Sequence, residues 1–151
     1  MQLTEHFSLE ALIASETAAR KNIDNTPPPE ILANLLILAN GLELVRVAVG
    51  GRAIQINSGY RSPALNREIG GAEKSKHMSG LAADILCPQF GTPLDLCKAI
   101  VAAGIATDQV IHEFGKWCHV SFPPAGASPK GDLLTIASVA QGYEEGLKPV
   151  A

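Results

Sequence analysis

The segment 75-SKHMSGLAAD-84 joins a small, polar loop to an apolar strand. It has the pattern SxHxxGxAxD, in which His77 lies at the edge of the loop and Asp84 lies inside the strand. The residues between them are small, so the loop can fold back and both side chains can reach one point. An unpaired carboxylate is costly to bury, so Asp84 needs a partner. Metal ligation would satisfy it, and so would a salt bridge.

A second histidine follows on a predicted hairpin. Residues 108–114 and 117–122 alternate like two strands joined by a tight turn, and His119 lies on the later strand. Two imidazoles and one carboxylate, from His77, His119 and Asp84, form a donor set typical of catalytic zinc, with a fourth position open for water. Zinc lowers the pKa of bound water toward about 7, and a nearby carboxylate must then take and return a proton.

Glu113 is the acid nearest to His119 in the sequence, and the register of the hairpin decides whether it reaches the same site. A two-residue turn sets His112 opposite His119, which would make His112 a candidate base or an extra ligand. A three-residue loop, or one bulge supported by Gly115, sets Glu113 opposite His119. We favour the second register because the chemistry needs a carboxylate.

Outward from this segment, helices are predicted early in the chain and strands later. The helices cover about 9–15, 28–49 and 92–103, with a short one opening at Ser62. The strands cover 53–58, 81–86, 108–114 and 117–122, with an edge strand at 133–138. This order favours an α+β fold, a small antiparallel sheet with helices packed against it.

Composition limits the function classes. The chain has 151 residues, 46% of them hydrophobic, and a net charge of -3. This length favours one domain over 1–151, with a core at about 7–122 and a C-terminal extension at 123–151. The charge gives no basic surface for nucleic acid, and the apolar stretches are interrupted too soon to span a membrane. The three cysteines form no CxxC pair and are expected to be buried thiols, and the lack of a heptad favours a monomer.

Two more motifs flank the first segment, SGYRSP at 58–63 and WCHVSF at 117–122. In this order the three motifs resemble the zinc D-Ala-D-Ala carboxypeptidase family, which includes related phage peptidoglycan endopeptidases. The likeness covers roughly 7–122. It implies a small α+β fold shared with the Hedgehog signalling domain, and zinc-dependent hydrolysis of peptidoglycan stem peptides. The sequence leaves open whether the activity is that of a carboxypeptidase or of an endopeptidase.

The resemblance also implies roles for individual residues. It implies zinc on His77, Asp84 and His119, an acid as general base, and an arginine that binds substrate or the oxyanion. Arg61 matches that arginine, and a fixed guanidinium can hold a carboxylate bidentately or stabilise a tetrahedral oxyanion. Ser75 matches the serine two residues before the first zinc ligand, and we expect it to bind substrate or to hold the loop.

One position departs from the family pattern. Many members place the catalytic Asp or Glu three residues before the last histidine, where this chain has Lys116. We therefore assign that role to Glu113. The departure also motivates an alternative, a non-catalytic zinc module of a phage structural or wall-binding protein. The N-terminus lacks the pattern of a secretory signal, which predicts synthesis in the cytoplasm. For a lysin, the resemblance implies release by phage lysis or delivery with a virion; a cytoplasmic peptidase for recycled wall peptides is the alternative.

Overall fold

A six-stranded sheet carries helices on one face and the predicted site on the other. The computed structural model describes all 151 residues. Its helices are α1 (Leu9–Ile13), α2 (Glu16–Lys21), α3 (Pro29–Ala48), α4 (Pro63–Glu68), α5 (Pro93–Ala102) and a 3-10 helix at Lys76–Ser79. Its strands are β1 (Gln55–Ser58), β2 (Ala82–Leu86), β3 (Gln109–Glu113), β4 (Trp117–Ser121), β5 (Asp132–Ile136) and β6 (Tyr143–Glu145). The α+β class is confirmed.

The strand order is β1-β2-β4-β3-β5-β6. Every neighbouring pair is antiparallel except β3 and β5, which run parallel, so the sheet is mixed rather than purely antiparallel. The strand expected at 133–138 exists as β5, but it is not an edge strand because β6 pairs along its free side. The C-terminal residues therefore extend the same sheet that carries the predicted site.

Local sequence explains where the short helices begin. Ser8, Ser15, Ser62 and Thr92 each precede a helix, and each accepts a hydrogen bond from a backbone N–H of the first turn. Thr92 also forms a reciprocal capping box with Asp95. Helix α2, six residues that directly follow the Ser15 cap, was not predicted from the sequence.

Helix α3 supplies much of the core. It is 20 residues long with a mean hydropathy of 1.7, which by length and composition alone would suffice to cross a membrane. The prediction that no apolar stretch reaches that length was therefore wrong. Its inner face is fully buried against the sheet through Leu35, Leu38, Leu42 and Val45, and such a core helix is as apolar as a membrane span.

Side chains along each strand alternate between the two faces of the sheet, so the core and the site lie on opposite faces. Ile85 on β2, Val110 on β3, and Cys118 and Val120 on β4 face the helices and are fully buried. Their neighbours along the strands point to the opposite face. All three cysteines are free and buried, as predicted. The hydrophobic core thus packs against one face of the sheet, and the polar side chains of the site lie on the other face.

Candidate active site

Three chain segments bring His77, Asp84 and His119 together. One ligand atom from each lies within 4.8 Å of the other two, and all three residues are buried. Oδ1 of Asp84 lies 3.3 Å from Nε2 of His77 and 3.0 Å from Nδ1 of His119. The two imidazole rings meet edge to face, with centroids 5.1 Å apart. The convergence that the SxHxxGxAxD pattern predicts is present.

The 3-10 helix Lys76–Ser79 positions His77, in a segment expected to be loop. The hydroxyl of Ser75 accepts a hydrogen bond from the backbone N–H of His77, and Gly80 ends the turn in the left-handed region with φ 75°. Nδ1 of His77 lies 2.7 Å from the carbonyl oxygen of Gly59. A carbonyl can only accept, so Nδ1 carries the proton and Nε2 presents its lone pair to the cluster.

This arrangement fits a zinc ion. With Nδ1 protonated, Nε2 of His77 and Oδ1 of Asp84 are two acceptors that face each other at 3.3 Å, and a cation between them would satisfy both. Tetrahedral ligands about 2.0–2.1 Å from one zinc lie about 3.3 Å apart, close to the spacing present here. A histidine whose second nitrogen is held by a backbone carbonyl is typical of zinc ligands. Nitrogen and oxygen donors of this kind suit Zn²⁺.

Strand pairing positions the other two donors. Asp84 on β2 and His119 on β4 are direct partners in the antiparallel ladder, so their side chains project side by side from one face. Burial would raise the pKa of Asp84, but hydrogen bonds and charge from His119 and His77 hold it well below its usual range. Burial would lower the pKa of His119, but Asp84 raises it above its usual value. The carboxylate is therefore ionised at neutral pH and available to a cation.

The observed hairpin has neither of the two predicted registers. Glu113 pairs with Trp117, and Ile111 pairs with His119. Glu113 and His119 are diagonal neighbours on the same face, and Oε2 of Glu113 lies 3.8 Å from Nδ1 of His119. His112 points to the other face, where its Nδ1 donates to the carbonyl of Lys148 at 2.8 Å. The alternative of His112 as a base or an extra ligand is therefore wrong for this geometry.

The loop explains the register. Phe114, Gly115 and Lys116 separate the paired ends of the strands, and both Phe114 and Gly115 have positive φ, 59° and 68°. A residue other than glycine rarely adopts such a φ, so the sequence gives no sign of it at Phe114. The N–H of Lys116 bonds back to the carbonyl of Glu113 at 2.9 Å and closes the loop. Lys116 itself lies at the exposed tip of the loop.

Trp117 holds the carboxylate of Glu113 in place. Its indole N–H donates to Oε1 of Glu113 at 2.8 Å, and its ring packs edge to face on Phe114. Burial raises the pKa of Glu113, and the charge of His119 opposes the rise. No role in the site was predicted for Trp117, although its place in the WCHVSF motif was a usable signal. A carboxylate with a raised pKa beside a donor cluster is suited to move a proton.

Arg61 borders the same site. Its backbone N–H donates to the carbonyl of His77 at 3.1 Å, and its Nη1 donates to Oδ1 of Asn66 at 3.2 Å. Asn66 in turn donates to the carbonyl of Ala72, which ties the arginine to the loop before Ser75. Nε of Arg61 is buried without a hydrogen-bond partner. Burial lowers the pKa of Arg61, and the charges of Asp84 and Glu113 offset part of this change, so the guanidinium remains a cation.

All six site residues from the sequence analysis line one cleft of about 890 Å³, namely Arg61, Ser75, His77, Asp84, Glu113 and His119. The half-buried Ser75 is therefore both the cap of the 3-10 helix and part of the wall. The cleft also contains residues from beyond 123, including Lys130, Ile136 and Tyr143. A cleft of this size accommodates a short peptide rather than a folded domain.

This chain resembles known peptidases in sequence. A model of the family described as peptidase M15 matches residues 5–121. The zinc D-Ala-D-Ala carboxypeptidase of Streptomyces albus G is 43% identical over 53 residues, which is 35% of this chain and 21% of that protein. The match thus spans about a fifth of that relative's length. Since the family match covers well over half of the chain and includes every residue of the cluster, the chain belongs to the peptidase M15 family.

Proposed function

We propose that this protein is a zinc-dependent peptidase that hydrolyses peptidoglycan stem peptides. The observation that carries the proposal is the donor cluster of His77, Asp84 and His119 with an acid, Glu113, 3.8 Å from one of its imidazoles. A metal site with a proton-transfer group beside it is what hydrolysis of a peptide bond by activated water requires. Membership of a peptidase family favours hydrolysis over binding alone.

The name of the matched relative suggests the substrate class. That protein is named a zinc D-Ala-D-Ala carboxypeptidase, and from this name and the resemblance of the three motifs we propose the stem peptide of the bacterial wall as the substrate class of this chain. Either the terminal D-Ala or a bond inside the stem is the target. Access to the wall from the cytoplasm would require release by phage lysis or delivery with a virion.

Each side chain has a distinct role in the proposed reaction. His77, Asp84 and His119 would hold zinc, which when bound would supply polarisation of the scissile carbonyl and a lowered pKa of water. Glu113 accepts a proton from the attacking water and passes it to the leaving amine, while Trp117 keeps its carboxylate oriented. The raised pKa of Glu113 favours both transfers near neutral pH.

The roles of Arg61 and Ser75 follow from their position in the cleft. The guanidinium of Arg61 has a buried Nε with no partner in the protein, and an anionic group of the substrate would satisfy it. That group is either a carboxylate of the peptide or the oxygen that becomes negative during attack. Ser75 holds the turn of His77 and offers its hydroxyl to the peptide.

Metal binding is tested with a pair of histidine variants. We expect His77→Ala to lose zinc and all hydrolysis, because it removes one donor of the cluster. His6→Ala is the control, since His6 lies at the surface with Glu43 and away from the cleft. Metal content is measured by mass spectrometry of the dialysed protein. Full zinc occupancy in His77→Ala would refute the ligand assignment.

Proton transfer is tested with Glu113→Gln, which keeps the shape of the side chain. We expect zinc to remain bound and the rate to fall by orders of magnitude. Glu144→Gln is the matched control on the exposed strand β6. Unchanged turnover of Glu113→Gln would assign proton transfer to another group. A wild-type protein that binds zinc and muropeptides without cleaving them would instead support the non-catalytic wall-binding module.

Mass spectrometry of digested muropeptides identifies the bond that is cut. Loss of a single terminal alanine indicates a carboxypeptidase, and internal fragments of the stem indicate an endopeptidase. A stem peptide with an amidated C-terminus is the control, because a carboxypeptidase requires the free carboxylate. Failure to cleave any muropeptide in the presence of zinc would refute the proposed substrate class.

A further inference from the structure

The cleft has a wall that lies outside the stretch matched by the peptidase family. That match ends at residue 121, whereas Ile136, Val139 and Tyr143 line the cleft from strands β5 and β6 and the turn between them. Val139 is 84% exposed and Tyr143 is 59% exposed. Apolar and aromatic groups that remain uncovered beside a catalytic cluster are typical of a binding surface.

Strand register places Tyr143 in line with the proposed proton-transfer group. Trp117 pairs with Glu113, Glu113 with Ile136, and Ile136 with Tyr143. Paired residues project from the same face of a sheet, so the four side chains form one row across β4, β3, β5 and β6. Two strand spacings, about 10 Å, separate the backbones of Glu113 and Tyr143.

Tyr143 lines the same cleft as Glu113 and Asp84. Burial raises the pKa of Tyr143, and the negative charges of Glu113 and Asp84 raise it further. Since Tyr143 is also 59% exposed, it borders both the cleft and the solvent.

A hydrogen-bonded segment fixes this wall from behind. The N–H of Gly146 donates to the carbonyl of Leu133 at 2.8 Å, and the hydroxyl of Thr135 donates to the carbonyl of Gly146. The N–H of Lys148 donates to the same hydroxyl, and the carbonyl of Lys148 accepts from the buried ring of His112. These contacts tie the C-terminal residues to β3, so Tyr143 is held on paired backbone rather than on a free tail.

The facing wall has a different chemistry. Lys74, Lys76 and Arg61 line the cleft on the side of the 3-10 helix, so that side is cationic. Ile136, Val139 and Tyr143 form an apolar wall on the opposite side, and Lys130 adds a cation just before β5 begins, at the other end of that strand from Ile136. A peptide that fits between the walls carries a carboxylate on one side and an uncharged, largely aliphatic portion on the other.

We propose that the β5–β6 wall is part of the substrate site and that Tyr143 contacts the bound peptide from it, with its ring against the aliphatic portion. The inference rests on the proposed function and adds to it a specificity-determining residue. It assigns a role in substrate recognition to the C-terminal segment 132–146, which supplies both strands of the wall.

Two readouts test the proposal, and both use the full chain loaded with zinc and a pentapeptide stem as probe. The first is kcat/KM for hydrolysis. The second is binding of the same peptide to a Glu113→Gln background, followed by the fluorescence of Trp117, the only tryptophan in the chain. We expect Tyr143→Ala to lower kcat/KM about ten- to a hundredfold, the range for one lost contact group in a pocket. Binding should weaken by a similar factor, with zinc content unchanged.

Two further variants separate contact from folding. Glu144→Ala is the matched control, because it removes an exposed side chain from the opposite face of the same strand, and we expect wild-type kinetics. Tyr143→Phe keeps the ring and the packing of the strand, and we expect at most about a tenfold loss, the value of one hydrogen bond. If Tyr143→Ala fails to fold by circular dichroism, Tyr143→Leu, which keeps an apolar side chain without the ring, replaces it.

The outcomes distinguish this inference from the proposed function. A wild-type enzyme that cleaves the stem, with kcat/KM and affinity of the folded Tyr143 variant within twofold of wild type, would overturn the role of Tyr143 alone. A wild-type protein that neither binds nor cleaves the stem would overturn the proposed function, and the role of Tyr143 with it. Loss of both rate and affinity in the Tyr143 variant, but not in Glu144→Ala, supports the inference.

Discussion

Gly59→Ala is expected to damage the fold and the metal site together. Gly59 lies where β1 approaches α1, and a methyl group on it would overlap the carbonyl oxygen of Leu12 and lie 3.0 Å from the carbonyl carbon. The oxygen is not free to move, because it accepts the N–H of Tyr60 at 2.7 Å. The φ of Gly59 is outside the left-handed region, so alanine at this position causes a steric clash but no backbone strain.

The magnitude follows from two separate effects. Carbon atoms in contact prefer about 3.5–4.0 Å, so the segments must part by about 1 Å. Overpacking of this kind costs about 1–3 kcal/mol, which in a chain of this length lowers Tm by roughly 3–10 °C. The same shift moves the Gly59 carbonyl away from Nδ1 of His77, which it holds at 2.7 Å. Loss of a partner that orients a metal ligand typically weakens metal affinity about 10–100-fold.

Calorimetry of the metal-free protein measures the first effect, and competition with a chromophoric zinc chelator measures the second. Gly71→Ala is the comparison variant, because its methyl group would meet Asn66 and Arg61 and leave the partner of His77 untouched. We expect Gly71→Ala to bind zinc like the wild type. Wild-type zinc affinity in Gly59→Ala would refute the role assigned to its carbonyl, even if Tm falls.

Three further predictions concern the proposed catalytic groups. Gly71→Ala should lower kcat/KM about tenfold in steady-state assays, because its methyl group would lie 2.8 Å from Nη1 of Arg61 and overlap Oδ1 of Asn66. An unchanged kcat/KM would contradict a role for Arg61 in substrate binding. Trp117→Phe removes the 2.8 Å hydrogen bond to Glu113 and should lower kcat about tenfold with KM unchanged, whereas a change in KM alone would indicate substrate contact instead. Chelation of zinc should abolish hydrolysis while far-UV circular dichroism keeps the helix and sheet signals, because the hydrophobic core lies on the other face of the sheet; global unfolding on chelation would contradict this.

The sequence predicts the donor cluster of His77, Asp84 and His119 well, because short local patterns indicate the chemistry of these residues. A buried carboxylate in the apolar strand Ala82–Leu86 requires a cationic or metal partner, and the histidine seven residues earlier lies at the end of a small-residue loop. Ser62 and Thr92 likewise predict where α4 and α5 begin, because both are residue types that cap helix N-termini. These features depend on a few neighbouring residues, so they are visible without the fold.

The C-terminal strands are harder to predict for a physical reason. Strand β6 has three residues, all exposed, so it has no apolar alternation to detect. The parallel pairing of β5 with β3 depends on where the connection after Phe122 returns to the sheet, and no residue pattern within either strand encodes that. The wall that carries Tyr143 therefore became visible only in the folded molecule.

The hairpin shows why a wrong register still led to the right face. The favoured register set Glu113 opposite His119, whereas the fold pairs Glu113 with Trp117 and Ile111 with His119. Side chains alternate with a period of two, so the favoured and the observed registers both place Glu113 and His119 on the same face. The two-residue turn would instead place His112 on the face of His119 and turn Glu113 to the other face. That exchange would turn the Glu113 carboxylate to the core face beside Cys118, which is fully buried, and would turn Val110 out of the core. The cost of an unpaired charge in that core is what excludes the two-residue turn, and the positive φ of Phe114 makes the longer loop possible.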